Sequence, residues 1–245
     1  MREGERNTKI FHQAMIQNRQ RNQIFSIKNV EGEWVIEQGG IEKVLVDYHK
    51  EILTEPQEAR GEAIEYICKE IPRLITNEQN KALMRATTME EVEEVVMNMK
   101  KGKAPGPDGY TIEFYQAGWH FLGQEILEAV EESRMKQKIW PGINSTFLTL
   151  IPKSNKSEDE QGFLPIALCN VIYKIIATLI AKILNHLLPN IISPEQTGFI
   201  EGRQILDGLV VTQEMIHSLN QKKQRGMMMK LDLSKAYDRL SWRYL

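Results

Sequence analysis

Cysteine is nearly absent from this sequence: Cys68 and Cys169 are the only two in 245 residues. Two distant thiols exclude a disulfide framework, and the five scattered histidines do not join them at zinc spacing. A reducing, intracellular setting follows, nucleus or cytoplasm. An excess of one charge is missing too. Lys and Arg number 31 against 33 Asp and Glu, so the chain is not a uniformly basic nucleic-acid binder. No long uncharged apolar run occurs. The most apolar stretch, 172–192, is broken by Lys174, Lys182, His186 and Pro189, which suits a buried helix and not a membrane span. The sequence is charged and polar from Arg2 onward, unlike a secretory leader, and it holds no internal repeat or low-complexity tract. With 42% apolar residues, its length suits one sizeable core, or one domain with an extension.

The neutral average hides an uneven distribution. Arg2, Arg6, Lys9, Arg19, Arg21 and Lys28 open the chain against Glu3 and Glu5. Residues 221–245 carry Lys222, Lys223, Arg225, Lys230, Lys235, Arg239 and Arg243 against Asp232 and Asp238. An acidic stretch, 51–94, lies between them. Local basic faces on a neutral whole fit a surface that tracks a phosphate backbone. Solvated charge on helix faces would give the same pattern.

Periodicity predicts a helix-rich α+β chain. Helices are expected over 8–18, from Ile41 (with Ile41, Leu45, Tyr48 and Ile52 on one face), over 62–71, and from Thr88. Thr88 and Glu91 have capping-box spacing, and Met89, Val92, Val96 and Met99 form one stripe. Gly32–Gly40 reads as a turn or short hairpin. Two prolines and three glycines in 100–109 force a loop. Residues 113–138 read as helix in two pieces, stopped by Trp140-Pro141-Gly142. Asn144–Lys153 reads as a strand, and Lys153–Gly162 as a polar loop. Ile172–Leu188 and Ile205–Asn220 read as helices. Met227–Leu233 alternates, with Met227, Met229, Leu231 and Leu233 on one face and Asp232 on the other, as in a half-buried strand.

The residues that bear chemistry follow from this layout. Asp232, at the exit of an apolar strand, suits a divalent ion that keeps waters and meets substrate phosphate. By itself such an Asp is more often a turn or helix cap. Tyr237 follows where an aromatic ring can wall off a bound sugar. Lys100, Lys101 and Lys103 offer three ammonium groups on a pliant Pro/Gly loop, suited to phosphates, though a plain turn has the same composition. Lys153 ends a strand, and Arg203 sits in a Gly-Arg turn where it can fork onto phosphate or make a helix-terminal salt bridge. Lys174 begins an apolar helix, as a phosphate contact or as a snorkelling surface residue.

Six segments, in order, resemble the reverse transcriptases of non-LTR (LINE-type) retrotransposons, particularly the plant branch. Lys230-Leu231-Asp232, with Lys235-Ala236-Tyr237-Asp238, resembles the first palm motif. Lys103-Ala104-Pro105-Gly106-Pro107-Asp108-Gly109 resembles the fingers-entry motif. Leu150-Ile151-Pro152-Lys153 is similar to the "LIPK" strand end, and Phe163–Asn170, followed by Tyr173-Lys174, to the "FRPISLCN" segment. Glu195–Asp207 resembles the "QxxFxxGRxIxD" element. Gly4–His12 is similar to the segment joining that family's endonuclease to its polymerase. Leu164 departs from the pattern, standing where the family has arginine, and Ser157 stands in place of a common loop proline.

The resemblance implies right-hand polymerase fingers with an incomplete palm, preceded by a helical N-terminal extension. Its boundaries are 1–85 for the extension, 86–226 for the fingers and 227–245 for the start of the palm. It implies RNA-directed DNA polymerase chemistry with RNA template, DNA primer and dNTP as partners, no membrane, and Mg²⁺ or Mn²⁺ in the complete enzyme. Asp232 is then the catalytic metal ligand beside the Leu233 carbonyl. Tyr237, Lys153 and Arg203 are nucleotide contacts, and Lys100, Lys101, Lys103 and Lys174 are nucleic-acid contacts. Two-metal transfer needs further carboxylates, and the sequence contains no adjacent Asp-Asp pair, so the chain is expected to be inactive alone. A non-catalytic RNA-binding module and a decayed helical interaction protein are the alternatives. The oligomeric state is left open.

Overall fold

A computed structural model describes residues 22–54, 61–154 and 157–223, with 13, 16, 17, 19, 225–227 and 229. Asp232, Leu233 and Tyr237 lie outside the described residues, as do most of the helix expected over 8–18 and most of the strand expected over 227–233. Among the described residues the architecture is helix-rich with two small sheets. Two compact units are present. The first takes in the described residues up to Ile64 and Leu148–Ala167; the second takes in those of Glu65–Phe147 and from Leu168 on.

In the first unit, β1 (Ile27–Lys28) pairs antiparallel with β2 (Trp34–Val35), in the register Ile27 to Val35 and Lys28 to Trp34. Gly32, at φ +82°, supplies the left-handed step of the connecting turn. Helix α1 (Gln38–Leu53) follows, with Ile41 and Leu45 buried and Tyr48 and Ile52 half-buried, as the spacing predicts. Strands β3 (Thr146–Pro152) and β4 (Phe163–Cys169), which lie mostly in this unit, form a second two-stranded sheet. A single 3₁₀ turn, Glu160–Gly162, leads into β4. Ile27, Ile41, Leu45 and Phe163 make the core. The loop between the strands is closed by Ser157, whose hydroxyl contacts the Gly162 carbonyl at 2.8 Å and the Ser154 carbonyl at 3.0 Å. Serine at this position thus supplies hydrogen bonds that a proline ring cannot.

The second unit is helical. It contains α2 (Gly61–Glu70, mostly), α3 (Asn77–Leu83), α4 (Met89–Asn98), α5 (Ile112–Ala117) and α6 (Trp119–Lys136). After the short α7 (Pro141–Asn144) come α8 (Val171–Asn185), α9 (Leu188–Ile191) and α10 (Ile205–Gln221). Helix α4 begins with the expected capping box: Thr88 accepts from the Glu91 amide while Glu91 accepts from the Thr88 amide. Its buried stripe is Val92, Val95 and Val96; Met89 and Met99 are only half-buried. Helix α8 buries Val171, Ile175, Ile176 and Leu179, one turn earlier than the stripe running to Leu187 that the sequence suggests. These faces meet Tyr115, Ile126 and Val130 in one core. Among the described residues no helix is long and apolar enough to cross a membrane.

Candidate nucleic-acid interface

The Pro/Gly segment after α4 is built, not slack. Gln116 reaches back from α5 and donates to the Val96 and Met99 carbonyls (2.9 and 3.1 Å), which ties α5 to the end of α4. The Gly102 amide donates to Glu113 at 2.6 Å, with Gly102 at φ +73°. The Gly109 amide closes a turn onto the Gly106 carbonyl at 3.1 Å. Asp108 accepts from the Tyr110 amide at 3.0 Å and donates its own amide to Asn170 Oδ1 at 3.2 Å. The loop that looks pliant from its composition is therefore held at both ends.

This anchoring leaves a cleft of about 300 Å³ between the loop and the start of α8. Lys100 and Lys103 line it from the loop, and Lys174 lines it from the first turn of α8. Met99, Ile112, Leu168 and Val171 give it an apolar lining. Lys100, Lys101, Lys103 and Lys174 make no ion pair among the described residues. Lys182, farther along α8, is by contrast held by Glu94 at 2.7 Å. Three ammonium groups with spare donors around an apolar lining can take a phosphate-bearing ligand whose flat or aliphatic part is buried. Lys101 is exposed on the same loop and does not line the cleft.

Just past the loop, the rings of Tyr110 and Phe114 pack at 4.7 Å between centroids and are 49% and 43% exposed, open to a stacking base. Sequence reasoning alone misses them, although their position directly after a lysine-rich turn is a usable signal. Tyr115 beneath them is buried, and burial, then Asp108 and Tyr110, pushes its hydroxyl up to about 12. It packs and does not titrate in the working range.

The other predicted contacts sit differently. Lys153, in the first unit, donates to the Gln161 carbonyl at 2.8 Å and stays exposed, with further N–H groups available. Leu164, also in the first unit, is 51% exposed on β4. Arg203 is engaged with the backbone. One terminal nitrogen donates to the Ser193 and Gln196 carbonyls (2.6 and 2.8 Å), the other to Pro189 and Ile192 (3.3 and 3.0 Å). Those carbonyls surround the end of α9, so the guanidinium holds that turn together, and only Nε–H remains outside this set. Neither a salt bridge nor an open fork describes it.

Among the described residues no group of three or more His, Cys, Asp or Glu side chains is placed to hold a metal. The two predicted ligands, Asp232 and Leu233, lie outside the described residues.

Residues 151–245 match the family "Reverse transcriptase (RNA-dependent DNA polymerase)". The chain is 28% identical over 193 residues to the "Transposon TX1 uncharacterized 149 kDa protein" of Xenopus laevis, covering 79% of this chain and 15% of that protein. It is also 28% identical over 159 residues to the "Retrovirus-related Pol polyprotein from type-1 retrotransposable element R1" of Bradysia coprophila, covering 63% of this chain and 15% of that one. The matched part thus spans 15% of the length of these relatives.

Proposed function

We propose, from the match of residues 151–245 to the reverse transcriptase family and the 28% identity to the TX1 and R1 element proteins, that the chain forms the template-facing fingers of a non-LTR retrotransposon RNA-directed DNA polymerase. The observation that carries the proposal is the cleft lined by Lys100, Lys103 and Lys174, three cations that pair with no acid among the described residues. An RNA strand would supply the missing anions, with the exposed rings of Tyr110 and Phe114 as a stacking surface beside it. Lys153, with donors to spare, is proposed as a second phosphate contact.

Within 227–245, Asp232 and the Leu233 carbonyl are proposed as metal ligands and Tyr237 as the sugar-side gate, on the strength of the first palm motif. The right-hand architecture, the boundaries 1–85, 86–226 and 227–245, and the plant-branch affinity belong to the same proposal. Arg203 is assigned to the turn it holds, with at most its Nε–H left for phosphate. Divalent-metal chemistry is the family's. The sequence has Asp232 but no Asp-Asp pair, so this polypeptide is proposed to bind template without extending primers.

Fluorescence anisotropy with a single-stranded RNA tests the binding. Affinity is expected to fall steeply with added salt and to be much weaker in K100A/K103A/K174A. Absence of binding at low salt would leave the interaction-protein reading in its place. For the chemistry, template-dependent dNTP incorporation with Mg²⁺ or Mn²⁺ is expected to be nil. Incorporation that Asp232→Ala abolishes would contradict the proposed incompleteness.

A further inference from the structure

Asn170 occupies the N-cap of α8, yet its side chain makes no capping bond to that helix. Asparagine is favoured at this position because its oxygen can take an orphan amide of the first turn. Here the side chain is spent elsewhere. It is only 2% exposed. Its Oδ1 accepts from the Asp108 amide at 3.2 Å, and its Nδ2 donates to the Gly142 carbonyl at 2.8 Å, with the Ile143 carbonyl and Ser145 Oγ at 3.3 Å. A single amide therefore joins the lysine loop, the turn at α7 and the start of α8. Gly106 lies against it: a Cβ there would meet Asn170 Oδ1 at 2.3 Å, the Asn170 amide nitrogen at 2.4 Å and the Cys169 carbonyl carbon at 2.6 Å. Only glycine lets the loop come this close.

The consequence concerns the cleft. Its two lysine-bearing walls are the loop (Lys100, Lys103) and the first turn of α8 (Lys174). The Asn170 carbonyl accepts the Lys174 amide at 3.2 Å, so main chain and side chain of one residue touch both walls. We infer that Asn170 is the positioning residue of this interface, setting the spacing of the three ammonium groups so that they meet successive phosphates of one strand. The inference rests on the proposed RNA-binding reading of the cleft. Gly106 is the complementary half of the device, since its missing side chain permits the approach that Asn170 locks.

The test is a double-mutant cycle on the full chain with a 12-nucleotide oligouridylate, reading affinity and its salt dependence. Asn170→Ala is expected to lower affinity on the order of tenfold and to flatten the dependence of log K on log salt, by about 0.7 for each phosphate no longer neutralised. In the K100A/K103A/K174A background the same substitution is expected to do nothing further, because it acts only through those lysines. Gly106→Ala approaches the same junction from the other side and should reproduce the flattened slope. A purely structural role would shift the unfolding midpoint and leave the slope alone. Equal losses from Asn170→Ala in both backgrounds, or an unchanged slope in both single variants, would overturn the inference. So would collapse of both variants to unfolded chains, which would assign Asn170 to the fold as a whole. If the lysine substitutions themselves leave binding unchanged, the RNA-binding reading fails first, a separate outcome that removes the role given to Asn170 with it.

Discussion

Two cationic regions of the second unit invite the same reading from sequence and turn out to be opposites. Around the cleft, Lys100, Lys103 and Lys174 pair with no acid among the described residues, while the backbone beside them is satisfied by Glu113 and Asn170. At the end of α9, Arg203 is the satisfying group, its terminal N–H groups given to four carbonyls. In one case the protein spends neutral or acidic side chains on its backbone and, among the described residues, leaves its cations unpaired; in the other it spends the cation. Unsatisfied donors, and not positive charge as such, mark a surface that waits for an anion.

The largest expected effect breaks this comparison at its structural pole. Arg203→Ala takes a donor from four carbonyls, of which Ser193 keeps the Gln196 amide, and should lower unfolding free energy by about 2 kcal/mol, measured by urea denaturation. Arg203→Lys should recover little, because a single ammonium cannot fork to four acceptors. Next, at the binding pole, K100A/K103A/K174A should reduce RNA affinity on the order of 10- to 100-fold in a titration at low salt, with an unchanged unfolding midpoint. A fall in stability there would mean that the lysines are structural after all.

A smaller effect concerns pH. Arg85 holds the Glu91 carboxylate by hydrogen bonds, one at 2.9 Å, and with the Thr88 amide lowers it from the ordinary 4.5 to about 2. A carboxylate depressed in the folded state stabilises above its unfolded value, and that contribution is lost as pH falls through the folded one. The contribution is therefore present above about 4.5 and lost as pH falls toward 2. Arg85→Ala should lower stability modestly above pH about 4.5, as suits a half-exposed pair, and flatten the fall between about 4.5 and 2, where the two curves converge. Superimposable acid limbs would remove the pair from the account. The smallest expected change is Leu164→Arg. The side chain is half-exposed, so the fold should be indifferent, and one added cation should raise RNA affinity by about twofold and the salt slope by about 0.7. No gain in anisotropy titrations would remove position 164 from the nucleic-acid face.

What is legible in the sequence is what is local in it. The Thr88–Glu91 capping box, the helix breakers of 100–109 and the apolar stripe of α1 each depend on residues within a turn or two of one another, and each is found. Helix α3 carries the same capping box, Thr76 with Gln79, but escapes a reading by periodicity because its seven residues bury nothing and so show no apolar stripe. Strand β4 escapes because Pro165 interrupts it; in a sheet of only two strands a proline can face away from the partner. The role of Asn170 is out of reach. Its partners lie 62, 28, 27 and 25 residues away, so the amide's work exists only once the chain has folded. Arg203 fails for a related reason: a guanidinium is visible in a sequence, but the carbonyls that will claim it are not.

The contrast between free and spent cations can be measured in one experiment. Log K for single-stranded RNA is followed against log salt for the unaltered chain, for K100A/K103A/K174A and for Arg203→Ala under conditions where all three are folded. The account predicts a slope flattened by about 2 in the lysine variant and a slope unchanged in Arg203→Ala. A slope that flattens with Arg203→Ala and not with the lysines would place the phosphates on the turn at α9 and contradict the assignment of both regions.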